Sequence, residues 1–310
     1  MKKKIIRIGT RGSQLALYQA ELTKKTLLEK FPEIKVNIEI IKTKGDKILD
    51  VALSKIGDKG LFTKELETAL LENQVDIAVH SLKDLPTTLP DGLKLGAVLP
   101  RAEFRDALVS KDGRKLNELT SEDTIATSSL RRKAGLMRIN NKFKIVDIRG
   151  NVNTRLRKME EGHCDAMIMA AAGLQRLGLD KYITEILEPE DFVPATSQGV
   201  IAIESRADDA ETDAFLNAIN HNETWNSIEV ERGFLRSIEG GCQVPVGCYT
   251  ETNGDNITIT GFVATLDGNT YLLEKESGPI TDGKLIGEKL SSKLIERGAV
   301  KILDEIRKNQ

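Results

Sequence analysis

Aromatic side chains are scarce: Phe, Tyr and Trp make up 4% of the 310 residues, with a single tryptophan. Proteins that hold single-stranded nucleic acid interleave basic residues with aromatic stacking platforms. The scarcity, together with 45 basic against 47 acidic residues, argues against that class of partner. A net charge of −2 gives no global field toward a membrane surface, so any anion site has to be local. The segment Met1–Thr10 has lysines followed only by Ile5, Ile6 and Ile8 around Arg7, far short of a signal peptide or a membrane span. Three cysteines, Cys164, Cys242 and Cys248, are odd in number and form no CxxC pair, which fits a reducing compartment better than a disulfide framework. A cytoplasmic protein is the expectation. With only His80, His163 and His221, no HExxH motif and no Cys/His cluster, a metal site has little support. Neither GxxxxGK[ST] nor GxGxxG follows a strand-like run, which disfavours a nucleotide.

What is present is a long, well-mixed chain, 40% hydrophobic and 30% charged, without low-complexity tracts. Its length exceeds one ordinary core. The pattern predicts a strand at 5–10, a helix over 13–30 capped by Ser13, a strand at 36–42, a helix over 63–72 and strands at 75–81 and 93–99. After a short charged link, 100–106, the same grammar restarts. Strands are expected at 107–110, 124–127, 145–149 and 166–170, with helices from Ser129 and over 153–161. The apolar run 199–204 would close the first sheet if it returns there, joining the two halves by two crossings, the geometry of a hinge. Beyond about residue 221 the pattern changes to a helix over 223–239, a Gly-rich loop at 240–247, strands at 257–266 and 271–276, and a helix from about Gly283 to the end. The expected architecture is an α/β domain of residues 1–100 plus 199–219, a second α/β domain of 101–198, and a smaller α+β domain of 220–310. No long exposed apolar seam calls for more than a monomer.

In open α/β sheets the turns after parallel strands open into a common crevice. Those turns carry Arg11 and Ser13; Lys83 and Asp84; Ser129, Arg131 and Arg132; Arg149 and Arg155; and, on a following helix, Arg176. Any one of these arginines is commonly a solvated side chain or an ion pair. As a set they describe a site for a ligand with several carboxylates, each charged hydrogen bond contributing about 1.5–3 kcal/mol. Asp84 reads in two ways: as the cap of the turn Lys83–Pro86, or as the group that handles a cationic part of the substrate. Lys83 either holds a carboxylate or is solvated. Cys242 lies among loop residues, Gly240-Gly241-Cys242, where glycines allow close approach of a ligand, whereas Cys164 sits in an apolar strand approach as inert cysteines do. A cysteine hydrolase would need a histidine beside Cys242.

These residues fall into a pattern similar to one family. Gly9-Thr10-Arg11 with Ser13, Lys59-Gly60-Leu61-Phe62, Ala78-Val79-His80-Ser81-Leu82-Lys83-Asp84, Thr127-Ser128-Ser129-Leu130-Arg131-Arg132, Arg149-Gly150-Asn151-Val152 and Gly240-Gly241-Cys242 together resemble the porphobilinogen deaminases, or hydroxymethylbilane synthases. The resemblance runs from Arg7 to the final helix. It implies two periplasmic-binding-protein-like domains with a hinged cleft and a third domain bearing a dipyrromethane cofactor on Cys242 through a thioether. It further implies head-to-tail joining of four porphobilinogen molecules with loss of ammonia, in tetrapyrrole and haem biosynthesis. Asp84 matches the catalytic carboxylate. Lys83, Asp84, Ser129, Arg131, Arg132 and Arg149 match cofactor-binding positions, and Arg11, Ser13, Arg149, Arg155 and Arg176 match substrate-binding ones. Lys59 resembles a residue of an active-site loop. Ser197-Gln198-Gly199 departs from the Gly-Gln-Gly that many relatives carry. A polycarboxylate-binding module without chemistry is the competing function.

Overall fold

The computed structural model describes residues 3–47, 60–238 and 244–308. These fall into two compact units, one of residues 3–47, 60–102 and 200–225, the other of 103–199, 226–238 and 244–308.

The first unit is built on a five-stranded sheet of β1 (Ile5–Thr10), β2 (Lys35–Ile40), β3 (Ile77–Ser81), β4 (Leu93–Val98) and β10 (Ile201–Arg206), in the order β2-β1-β3-β10-β4. β1 is parallel to β2 and β3, and β10 is antiparallel to β3 and β4. The run 199–204 thus does return to the first sheet. Central strands are nearly continuous apolar runs because both faces are covered. The helix Gln14–Lys30 begins where the Ser13 hydroxyl accepts the Ala16 N–H, and it buries Ala16, Ala20, Thr23 and Leu27 at helical spacing. Ala20 and Leu27 share a core with Ile8, Ile77, Val79 and Phe215.

The second unit repeats this plan. Its larger sheet contains β5 (Asp106–Ser110), β6 (Thr124–Ala126), β7 (Lys144–Val146), β8 (Ala166–Ala170) and β9 (Glu185–Ile186), ordered β7-β6-β8-β5-β9. β6 is parallel to β7 and β8, and β5 is antiparallel to β8 and β9. The same unit holds an antiparallel meander of β11 (Val246–Asn253), β12 (Asn256–Ala264) and β13 (Tyr271–Pro279), packed on the helices Gly283–Glu296 and Ala299–Lys308. Phe234, Cys248, Ile259, Leu290 and Leu303 form its core. The fold class is therefore α/β with a smaller α+β portion.

Among the details that differ from the sequence expectation, three bear on the site or its support. Val246–Asn253 is a strand, not the end of a loop, because its first five residues are buried against the third-sheet core. The final helix is interrupted at Gly298, whose φ of 96° is accessible chiefly to glycine. Asp106 does not end a charged link but opens β5, and it is fully buried.

Candidate active site

In the first unit, β1 and β3 run parallel and adjacent, so the turns after them emerge at one end of the sheet. The turn after β1 delivers Arg11 and the helix-capping Ser13; the Arg11 guanidinium lies 4.2 Å from the ring centre of Phe62, a cation–π approach. The turn after β3 is the short 3-10 segment Leu82–Asp84, held to the start of β10 by Leu82 N–H donating to the Val200 carbonyl at 3.0 Å. It leaves Lys83 half-buried and Asp84 exposed. Below Asp84 the strand is locked by two polar contacts. Gln19 Nε2 donates to Ser81 Oγ at 2.8 Å, and His80 Nε2 lies 3.0 Å from Glu204 Oε2 in the buried interior. The carboxylate predicted for chemistry thus projects from a rigid base.

In the second unit, three parallel strands β7, β6 and β8 end at one edge. After β6, Ser129 caps the helix Leu130–Ile139 by accepting the Arg132 N–H. After β7 come Arg149 and Gly150, whose φ of 116° suits glycine, and then Asn151, which caps the helix Val152–Glu160 through the Thr154 N–H at 2.9 Å. Arg155 Nε donates to the Gly150 carbonyl at 2.8 Å, folding that arginine back over the turn. Arg176 follows the helix Ala171–Gln175 and donates from Nη2 to the Gly199 carbonyl at 2.7 Å. Ser129, Arg131, Arg132, Arg149 and Arg155 are therefore gathered by parallel strands of one sheet, while Arg176 stands at the far end of a short helix.

Arg131 and Arg132 are 5% and 7% exposed, and both pair with Asp106, which is 0% exposed. Burial alone would push the Asp106 carboxyl up, but the charges of Arg131 and Arg132, with hydrogen bonds from Arg132 and Gln198, outweigh it and hold the group below the ordinary carboxylate range. Burial pulls the Arg131 guanidinium down, and the Asp106 charge opposes this. Two guanidinium groups against one carboxylate leave a surplus positive charge beneath the surface. Buried charge is costly unless compensated, so this surplus fits an anionic ligand.

Cys242 and Lys59 lie outside the described residues. Ile238 and Val244, on either side of residues 239–243, are both buried in the core of the three-stranded sheet. The two described cysteines are buried: Cys164, whose thiol burial pushes up to about 11, and Cys248, 3.3 Å from Thr196 Oγ. Among the described residues no cluster of three His, Cys, Asp or Glu side chains could hold a metal ion, and no helix is long and apolar enough to cross a membrane.

Residues 6–214 match the family model described as "Porphobilinogen deaminase, dipyromethane cofactor binding domain", and residues 225–296 match "Porphobilinogen deaminase, C-terminal domain". The chain belongs to the porphobilinogen deaminase family. Among its relatives is a porphobilinogen deaminase of Nostoc sp., 48% identical over 307 residues, which are 98% of this chain and 95% of that one. A porphobilinogen deaminase of Carboxydothermus hydrogenoformans is 47% identical, covering 100% of this chain and 99% of its own. Of the solved structures, the methionine-binding protein MetQ aligns with 72% of this chain and 92% of its own at a TM-score of 0.43 and 15% identity.

The stretch matched to the cofactor-binding domain of the deaminase family contains every strand-end turn described above. It also contains two polar residues that sequence reasoning missed, Asp106 and Gln198. Gln198 Nε2 donates to Asp106 Oδ1 at 3.0 Å and to the Phe104 carbonyl at 2.8 Å. A third, Glu231, is fully buried in the helix Asn222–Ser237; its carboxylate accepts the Ser197 N–H at 2.6 Å and the Thr250 hydroxyl at 2.9 Å. The only signal in the sequence was a lone acid opening an apolar run, Asp106-Ala107-Leu108-Val109.

Proposed function

We propose that the chain deaminates porphobilinogen and joins four molecules head to tail on a dipyrromethane primer held through a thioether on Cys242, releasing hydroxymethylbilane and ammonia. The observation that carries this reading is the pair Arg131 and Arg132 on the single carboxylate of Asp106, a buried positive surplus suited to the acetate and propionate groups of linked pyrroles. Ser129, Lys83 and Arg149 join that pair in holding the primer. Arg11, Ser13, Arg149, Arg155 and Arg176 take the carboxylates of incoming substrate, and Lys59 belongs to a loop over the site. When bound, the primer supplies the free pyrrole carbon to which the first porphobilinogen is joined.

Asp84 is exposed in the turn after β3, and a carboxylate assigned to an anion site would weaken binding unless it served a cation. The aminomethyl group of porphobilinogen leaves as ammonia when its C–N bond breaks, and positive charge spreads over the pyrrole. Asp84 stabilises that charge and accepts hydrogen bonds from pyrrole N–H groups. A new C–C bond then forms, and the attacked ring returns to aromaticity by losing the proton from its α-carbon, for which Asp84 is the acceptor. The product leaves by hydrolysis of the bond that joins the first unit to the primer, the hydroxyl going to that unit's methylene carbon and the proton back to the pyrrole carbon. We place this chemistry in the cytoplasm and assign it to a monomer with three domains of residues 1–100 plus 199–219, 101–198 and 220–310.

The test is ammonia release from porphobilinogen by wild type and by Asp84→Asn. One ammonia per porphobilinogen consumed is expected from wild type, and a loss of at least about 10²-fold in kcat from the variant. Porphobilinogen binding without ammonia release would leave a polycarboxylate-binding module instead.

A further inference from the structure

The side chain of Asp106 has no surface, yet it accepts from Arg131 Nη2 at 2.7 Å, from Arg132 Nε at 3.2 Å and Nη2 at 2.8 Å, and from Gln198 Nε2 at 3.0 Å. Three of these bonds fall on Oδ1 and one on Oδ2, and with no exposed surface the carboxylate lies out of a ligand's reach. Each guanidinium is also fixed by the main chain: Arg131 Nη1 donates to the Val193 carbonyl at 2.7 Å, and Arg132 Nη1 to the Ile168 carbonyl at 2.9 Å. A planar fork with two fixed edges cannot rotate, and its remaining N–H directions are set before any ligand arrives. In the sheet register Asp106 stands opposite Ala170, the last residue of β8, so the carboxylate sits at the edge where the neighbouring turn presents Ser129.

We propose that Asp106 is the positioning residue of the anion site: it touches neither primer nor substrate, but fixes the planes of Arg131 and Arg132 so that both forks meet carboxylates of the primer. Charge arithmetic separates this from a plain structural pair. One carboxylate balances one guanidinium, which leaves the second for an anion. A purely structural design would pair the charges one to one or replace them with apolar side chains. The inference rests on the primer-dependent reading above.

The experiment uses full-length wild type, Asp106→Asn and Asp106→Glu, each produced in a host that makes porphobilinogen. The fraction carrying the mass of two linked pyrroles is read by intact mass spectrometry, alongside kcat, KM and the melting temperature. Asp106→Asn keeps the shape but removes the charge, and Asp106→Glu keeps the charge but moves it by one methylene. Positioning predicts that both variants fold, that the loaded fraction drops by about tenfold or more, and that KM of whatever is loaded rises by a similar factor, the scale of one lost charged contact. Variants that melt earlier yet load fully with wild-type KM would overturn the proposal, as would two variants that fail to fold, which would make Asp106 a folding residue only. A wild type without the extra mass would instead sink the primer-dependent reading itself.

Discussion

Gly247 rests against Arg131: a Cβ built on that glycine would stand 2.8 Å from Arg131 Cδ and 2.4 Å from the Pro194 carbonyl oxygen. The start of β11 therefore packs on the stem of an arginine of the proposed anion site, and both lie in the second unit. Gly247→Ala must displace backbone as well as a side chain. It is expected to cost about 1–3 kcal/mol of stability and to raise KM for porphobilinogen by moving Arg131. Thermal melts and steady-state kinetics check both, and a variant with unchanged KM would show that the contact is packing alone.

Ser197 has φ of 60°, in the left-handed region, and its N–H is held by buried Glu231. Left-handed backbone costs a residue with a Cβ about 1–2 kcal/mol, while glycine gives back about 0.5–1 kcal/mol through the freer unfolded chain. Ser197→Gly should therefore change stability by less than about 1 kcal/mol, whereas Ser197→Val, with branching at Cβ, should destabilise clearly. Denaturant midpoints of the two variants decide this; equal midpoints would mean that the strain is absent.

Burial pushes the Glu67 carboxyl above the ordinary range, and the charges of Glu204 and Glu65 add to the shift. A raised folded value in an acid means that the folded state holds the proton more tightly than the unfolded one. The resulting stability is complete below the unfolded value of about 4.3 and is lost as pH rises through the folded value. Glu67→Gln removes this loss. Its melting temperature relative to wild type should climb as pH rises from about 4 and then level off, and a constant offset throughout would contradict the assignment.

Much of this was legible in the sequence because local patterns sufficed. The strands 5–10 and 166–170 match β1 and β8, and Ser13 and Ser129 cap their helices, since alternation, apolar runs and capping chemistry are local signals. The strand-end turns bearing Arg11, Asp84, Ser129 and Arg149 follow from the same signals. What stayed hidden depends on partners distant in the chain. Asp106 reads as a linker acid until Arg131, Arg132 and Gln198 are folded around it, and Glu231 reads as a surface residue of an ordinary helix until Ser197 and Thr250 reach it. The start of β11 is hidden by Gly247 and the glycines before it, because local composition there signals a loop and only packing on the third sheet makes it a strand. The break at Gly298 was masked by the apolar periodicity continuing on both sides.

The proposed chemistry depends on a covalent primer on Cys242 feeding a site built from arginines. Intact mass spectrometry of wild type and Cys242→Ser, both purified from a host that makes porphobilinogen, tests it most directly. Wild type should exceed its sequence mass by two linked pyrroles and Cys242→Ser should not. A wild type at the bare polypeptide mass, or a serine variant that keeps the addition, would contradict the account.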